Sequence, residues 1–203
     1  MKEKYNKEEI YNLLYEEVSK MEVTFNESLD ITNEQDNCFY PIKQLFVGEN
    51  NEIGVVFDAG RLESNNNARK CFIKDLHPSD IAKIYKASVL SNVMAENGNL
   101  IPKLNELKAY TMRTISNMGN PGQAYKFTDS EAAIIYSRGK WRKIMEVTLP
   151  VSPKYSPMVK WHDEDCSQRG ANSAMGIGNL PLDTIIEIYE LICKKIASSR
   201  LQI

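Results

Sequence analysis

The sequence predicts an α+β fold in which about four helices pack against antiparallel β-hairpins. Two observations predict this class: apolar residues alternate between a helical period of 3.6 and a strand period of two, and β-rich runs are separated by short Gly/Asn turns. Strands and helices do not alternate one by one, which argues against a doubly wound parallel sheet. The chain has 203 residues and a formal net charge of -2, a size that suits one domain or two small ones.

A first helix is predicted over residues 7–21, where Asn6 and Glu9 have the spacing of a capping box. Its apolar stripe recurs at helical spacing: Ile10, Leu13, Leu14, Val18 and Met21. Tyr11 and Tyr15 lie one turn apart and off this stripe. Because tyrosine is enriched where a surface meets a partner, two interpretations stay open: an interface on this helix, or half-buried packing.

Strand patterns follow the first helix. A period of two predicts a half-buried strand with four apolar residues on one face: Val23, Phe25, Leu29 and Ile31. Residues 42–47 and 53–57 are β-rich and flank a Gly/Asn turn, which predicts a hairpin. A short apolar run at 71–73 predicts another strand. We expect one antiparallel sheet built from residues 22–73 and 124–149.

Three further helices are predicted from their caps and their apolar spacing: residues 79–96, 102–118 and 183–199. Ser79 and Asp183 have side chains that cap a helix N-terminus. Pro102 suits the first turn of the middle helix. These helices complete the helical half of the predicted fold.

Residues 124–149 fit two patterns. Thr128 to Glu131 resembles a capping box, which would open a helix. The β-rich run at 134–136, the Arg138-Gly139 turn and the alternation after it favour a hairpin, which we prefer. Prolines then punctuate an extended segment at 150–157, and the polar, Gly-containing stretch at 163–179 is predicted to be a long loop.

Two segments of the chain have similar sequences, and we call this similarity the echo. Residues 73–85 match residues 177–189 at a constant offset, and the identical pairs are Ile73/Ile177, Leu76/Leu180, Ile81/Ile185, Ile84/Ile188 and Tyr85/Tyr189. Either a strand-to-helix unit has been duplicated, or two amphipathic helices share a pattern by chance. We expect two units, residues 1–100 and 101–203, packed as one compact body.

The hairpin around Glu52-Ile53-Gly54, which leads through Lys74-Asp75-Leu76 into the helix at Ser79, resembles small uncharacterised proteins of gut tailed bacteriophages and their hosts. The resemblance covers residues 49–85 and follows no defined family signature, so no functional residue is carried over from it. It implies phage roles such as virion assembly or host takeover.

Composition excludes several classes of protein. The four cysteines form no C-x-x-C pair, which speaks against a structural zinc site, and no cofactor motif is present. The first residues lack the apolar core of a secretory signal, and no apolar run is long enough to span a membrane. We expect synthesis in the cytoplasm with reduced thiols, and no membrane partner.

Two segments carry reactive or basic side chains. His162, Asp163 and Cys166 offer an imidazole, a carboxylate and a thiol, the groups of a small enzyme, although a solvated acidic loop is the interpretation that we prefer. Arg138, Lys140, Arg142 and Lys143 form a basic patch among aromatic residues, as in proteins that bind single-stranded nucleic acid. On a strand, alternate basic residues would share one face while Trp141 faces the core; an edge protected by charges is the competing interpretation.

The sequence therefore predicts a non-enzymatic structural or interaction protein, such as a head–tail connector ring component of a phage virion, whose partners are itself or other proteins of the assembly. Its partner surface is expected to include Tyr11, Tyr15, Trp161 and His162. Two alternatives remain: a nucleic-acid-binding or regulatory protein that uses the basic patch, and a small enzyme that uses the segment from His162 to Cys166.

Overall fold

The computed structural model divides the chain into two units, Met1–Ala95 with Ser199–Ile203, and Glu96–Ser198. It describes residues 5–33, 37–98, 100, 123–128, 130–132, 134–137, 140–149, 158–162, 173–176 and 180–203. The structure contains both α-helices and antiparallel β-sheets, which confirms the α+β class.

The described residues of the first unit form three strands, three helices and one 3₁₀ turn. In chain order these are α1 (Lys7–Lys20), β1 (Val23–Asn33), β2 (Cys38–Val47), β3 (Ile53–Phe57), α2 (Ala59–Ser64), the 3₁₀ turn (Ile73–Asp75) and α3 (Pro78–Glu96). The strands form an antiparallel sheet in the order β1-β2-β3. The predicted cap of α1 is confirmed, because the Asn6 side chain accepts hydrogen bonds from the backbone N–H groups of Glu8 and Glu9 at 3.0 and 3.4 Å.

A β-bulge in β2 determines which of its side chains reach the core. Ile42 and Leu45 are both fully buried although they lie three residues apart, and a regular strand would place them on opposite faces. The register against β3 shifts by one residue between Ile42 and Gln44, so Lys43 is the extra residue of the bulge. The bulge lets both apolar side chains face the same core.

A polar contact joins α3 to α1 inside this core. The Asn92 amide donates to the backbone carbonyl of Glu17 at 3.1 Å and to its carboxylate at 3.0 Å, and both residues are buried. Lys20 forms an ion pair with the same carboxylate. The buried charge is therefore paired and hydrogen-bonded, as burial requires.

The described residues of the second unit form five strands and one long helix. These are β4 (Ala124–Lys126), β5 (Ile134–Ser137), β6 (Lys140–Thr148), β7 (Met158–His162), β8 (Ser173–Gly176) and α4 (Leu182–Arg200). The sheet order is β4-β6-β7-β8, and β5 also pairs with β6, next to β4 along that strand. Its buried side chains include Ile144, Val147, Val159 and Trp161 of the sheet, and Ile185, Ile188 and Ile192 of α4.

The two units follow the same strand plan. The pairing of β6 with β7 shifts by one residue between Ile144 and Glu146, as that of β2 with β3 does between Ile42 and Gln44. Ile144 and Val147 are fully buried, like Ile42 and Leu45. On the other side of the middle strand, β4 and β5 together take the place of β1, whose pairing is also interrupted, between Thr24 and Leu29.

The helices extend this correspondence. α3 and α4 have 19 residues each, and they begin at Pro78 and Leu182, 104 positions apart, the offset of the echo in the sequence. Ile81, Ile84 and Tyr85 of α3 are buried, and so are their counterparts in α4: Ile185, Ile188 and Tyr189. The matching register, bulge and helix length show that the two units share one structural plan, and an internal duplication as its origin stays a prediction.

Three predicted helices are confirmed to within one residue at each end, and the one predicted at 102–118 lies outside the described residues. The single sheet is wrong, because the strands form two separate sheets. The strand at 71–73 is also wrong: Ile73 opens a 3₁₀ turn. The preferred hairpin at 124–149 is confirmed by the pairing of β5 with β6.

Two strands and one helix were not predicted. β7 follows the proline-punctuated segment, and β8 lies inside the stretch that was expected to be a loop from 163 to 179. Both strands are short, and pairing with a neighbour creates them rather than local propensity. The turn expected at Asp58 is instead the start of α2, whose first turn the Asp58 side chain caps through the N–H of Arg61 at 3.4 Å.

Replacing Asn92 tests the link between α1 and α3. In Asn92→Ala the buried carbonyl and carboxylate of Glu17 lose their amide donor, so we expect the free energy of unfolding to fall by about 1–3 kcal/mol. Urea denaturation measures the loss. The control is the neighbouring Ser91→Ala, which removes an exposed hydrogen bond to the Thr24 carbonyl and should cost less than about 1 kcal/mol. An equal loss in both variants would contradict this assignment.

Candidate functional site

The first unit has an open groove beside its outer strand, which we call the edge groove. It has a volume of 610 Å³ and lies between β3 and the segment that precedes α3. Its apolar lining comes from Phe46, Ile53, Val55, Phe57 and Phe72, and its charged lining from Glu49, Glu52, Lys70 and Asp75. Within the described part of the chain, β3 is the outer strand of its sheet on this side.

The backbone of β3 presents hydrogen-bonding groups toward the groove. The N–H of Gly48 donates to the carbonyl of Glu52 at 2.8 Å, and partners in an antiparallel pair alternate between bonded and non-bonded positions. Glu52, Gly54 and Val56 therefore bond toward β2, while Val55 and Phe57 direct their N–H and C=O groups outward. The outward N–H of Ile53 donates to the Tyr11 hydroxyl at 3.3 Å. Among the described residues, the outward backbone groups of β3 after Ile53 therefore have no hydrogen-bond partner.

Aromatic side chains stay exposed around this edge. Phe46 is 36% exposed and lies opposite Gly54, where an added Cβ would come within 2.4–2.9 Å of its ring atoms. Glycine at 54 therefore lets the ring lie across β3. Phe72 is 63% exposed, and the Lys74 ammonium lies 5.6 Å from the centre of its ring.

The course of the chain explains why this edge is open. Phe39 of β2 donates its N–H to the Asn67 carbonyl at 3.0 Å and accepts the N–H of Arg69 at 2.9 Å. These bonds hold residues 67–69 against β2, just past the end of β3. The chain then returns along β3 to the β2–β3 turn, where Lys74 and Glu52 form an ion pair at 2.7 Å. The returning segment runs antiparallel to β3 but is not a strand.

A second groove, of 540 Å³, lies in the second unit between the β4–β5 connection and α4. Here the Thr128 N–H donates to the Glu131 carboxylate at 2.9 Å, and the Lys195 ammonium lies 2.9 Å from both of its oxygens. These contacts, led by the backbone N–H, hold the pKa of Glu131 at about 2. A carboxylate so strongly held as an anion ties the connection to the helix and is unsuited to act as a general acid.

Arg142 of the basic patch does not face the side of its strand that the sequence predicted. Arg142 shares a strand face with Ile144, which is fully buried, and its guanidinium lies 4.7 Å from the centre of the Trp161 ring. The expectation that this row of basic residues faces away from the core is wrong for Arg142. Lys143 is half-buried, only the backbone of Lys140 is described, and Arg138 lies outside the described residues. Nucleic-acid contact by the patch stays a prediction.

The four residues of the expected partner surface lie in both units. Tyr11 and Tyr15 are half-buried on α1. The Tyr11 hydroxyl satisfies the first outward N–H of β3, which places it at one end of the edge groove. Trp161 is only 2% exposed, so its ring belongs to the core of the second unit and not to its surface. His162 is described only through its backbone in β7.

Two of the three side chains of the predicted small enzyme site, Asp163 and Cys166, lie outside the described part of the chain. Within that part, no cluster of three His, Cys, Asp or Glu side chains has the arrangement of a metal site. None of the described helices combines the length and the apolar character that a membrane crossing needs.

Sequence reasoning missed the edge groove. A signal was present, since a glycine inside the β-rich run at 53–57 indicates the close approach of another group. The sequence did not indicate the wall of the groove opposite β3. Residues 71–73 have the apolar pattern of a strand, and only the hydrogen bonds of Phe39 show that this segment does not pair with β3.

The low pKa of Glu131 predicts a pH-dependent contribution to stability. A carboxyl whose pKa falls from 4.5 to about 2 on folding stabilises the protein above pH 4.5, and this contribution is lost as the pH falls toward 2. We expect Glu131→Gln to lower the melting temperature at pH 7 and to converge with the wild type in acid. The matched control is Glu187→Gln in the same groove, which should cost less. A pH-independent difference would contradict this account.

Comparison with known proteins gives this site no family context, since no protein-family model, no curated protein and no solved structure matches the chain.

Proposed function

We propose that this chain is a non-enzymatic interaction protein and that it contacts other proteins of an assembly through the edge groove. The observation that carries the proposal is an outer strand with open backbone groups beside the exposed rings of Phe46 and Phe72. Natural sheets usually protect their edges with charges, prolines or covering segments. An edge left open next to exposed aromatic residues is typical of a surface that a partner covers.

The charged groups of the groove support binding rather than catalysis. The hydrogen bond to Glu52 raises the pKa of Lys74, so this amine stays protonated. A nucleophilic or basic lysine needs the opposite shift. The Glu52–Lys74 pair instead fixes the segment that forms the outer wall of the groove.

The resemblance of residues 49–85 to small proteins of gut tailed bacteriophages supports a more specific proposal. The assembly is then a phage particle, and the chain is a component such as a subunit of a head–tail connector ring. Its partners are further copies of itself or other virion proteins. Most residues that line the groove lie within the segment that carries the resemblance, and Phe46 and Gly48 directly precede it, which links the two lines of support.

Light scattering over a concentration series tests the proposal. We expect discrete oligomers for the wild type. Phe72→Ser should weaken association about tenfold or more, because it removes an exposed aromatic contact, and should leave the melting temperature nearly unchanged. The matched control is Ile134→Ser, since Ile134 is an apolar residue of similar exposure, 61%, that lines the second groove and not the edge groove. It should associate like the wild type.

A strict monomer at high concentration would contradict self-association. In that case, co-purification with phage virion proteins, with and without Phe72→Ser, tests association with different chains. Loss of association in both serine variants alike would show that general surface hydrophobicity is responsible and not the edge groove.

A further inference from the structure

The correspondence between the two units indicates what kind of segment fits the outer edge of β3. β7 is the counterpart of β3, and its outer edge pairs in antiparallel register with β8. The pairs are Met158 with Gly176, Val159 with Met175, Lys160 with Ala174, and Trp161 with Ser173. A fourth strand of four residues therefore completes this sheet in the second unit.

In the first unit the corresponding segment is displaced. Residues 69–72 lie at the same distance before α3 as β8 does before α4, since Phe72 and Gly176 each precede the first residue of the helix by six positions. The bonds of Phe39 to Asn67 and Arg69 hold the start of this segment in line with β3, so it cannot also take the next position in the sheet. The place of the fourth strand is left open.

We propose that an extended segment of a partner protein fills this place and adds to β3 as an antiparallel fourth strand. This inference rests on the proposed function and names the kind of partner. Four partner residues lie opposite Gly54, Val55, Val56 and Phe57, as β8 lies opposite its counterpart. The residue opposite Val55 exchanges two backbone hydrogen bonds with it, because the N–H and C=O of Val55 point outward.

The lining of the groove indicates the side chains that the segment carries. Val55, Phe57 and Phe72 form its apolar wall, and Phe46 lies across Gly54 at one end. Small or apolar residues fit this space. The strand that fills the same place in the second unit is Ser-Ala-Met-Gly, which is small and uncharged.

The charges of the groove indicate the direction of the segment. Glu49, Glu52 and Asp75 lie at the end where β3 begins, next to one cation, Lys74, whereas Lys70 lies toward the end of β3. An antiparallel partner enters beside Lys70 and leaves beside the acidic end. Acidic residues before its apolar stretch and basic residues after it would match these charges.

Two synthetic peptides of the same composition test this inference on the full chain. The forward peptide is Glu-Glu-Ser-Ala-Met-Gly-Lys-Lys, and the reversed-flank peptide is Lys-Lys-Ser-Ala-Met-Gly-Glu-Glu. We expect the forward peptide to bind about fivefold more tightly at low salt, and added salt to reduce the difference. Amide chemical shifts and hydrogen exchange measure binding at each residue.

The amides of β3 supply an internal control. Binding should protect the outward amides of Val55 and Phe57. The amides of Gly54 and Val56 face β2, and that of Ile53 donates to Tyr11, so their exchange should change little. This alternation distinguishes strand addition from peptide that adheres to the exposed rings.

Two variants test the contacts. Phe72→Ser should weaken both peptides, whereas Ile134→Ser should bind them like the wild type. Lys70→Glu changes an exposed side chain, so folding should be preserved, and the preference for the forward peptide should disappear or reverse.

Several outcomes would overturn the inference. No change at β3 amides with millimolar peptide, or equal binding of both peptides in wild type and Lys70→Glu, would exclude the proposed partner segment. Protection of Val55 and Phe57 without peptide would identify another occupant: a second copy if protection rises with protein concentration, or residues 69–72 if it does not. If the peptides fail while Phe72→Ser still disrupts assembly, strand addition is wrong and the proposed function stands; if both fail, the proposed function is wrong too.

Discussion

One extra residue in the middle strand of each sheet determines which side chains of that strand face the core of its unit. Because strand side chains alternate between faces, Ile42 and Leu45 can both be buried only if the strand gains a residue between them, and Lys43 is that residue. The same shift brings Ile144 and Val147 into the core of the second unit. Without the bulge, the side chains of one half of the middle strand would move to the opposite face of the sheet, and the paired residues of the neighbouring strands would move with them.

The two units share one strand plan but differ at the outer edge of their sheets. The same three-stranded plan with the same bulge occurs twice, but β8 completes only the second sheet. In the first unit, two backbone hydrogen bonds to Phe39 hold the corresponding segment in line with β3 and not beside it. The backbone groups of Val55 and Phe57 therefore point outward, next to exposed aromatic rings. The completed sheet therefore serves as an internal reference for what the open edge can bind.

The charged side chains described above mainly hold elements together. Glu131 ties a strand connection to α4, Glu52 fixes the outer wall of the edge groove, and Glu17 joins α1 to Asn92 of α3. Each carboxylate has a neighbouring donor or cation that fixes its position, and for Glu131 these contacts lower the pKa, the shift opposite to that of a general acid. A protein that recognises another chain by backbone pairing and apolar contact needs its charges for position and direction, which agrees with this distribution.

The sequence by itself determined the α+β class, the ends of α1, α3 and α4 to within one residue, the hairpin around 48–52 and the pairing of β5 with β6, because helical periods and turn residues act over a few neighbours. Of the predicted caps, Asn6 is confirmed, whereas Ser79 and Asp183 lie inside the first turn of their helices. The sequence also contained the echo between Tyr85 and Tyr189 but left its meaning open. Only the tertiary structure decided that the strands form two sheets, that 71–73 is not a strand, that Trp161 is core, and that β3 is left open. These features depend on pairing between residues far apart in the chain, such as Phe39 with Arg69, and local patterns do not encode which distant edge a segment will meet.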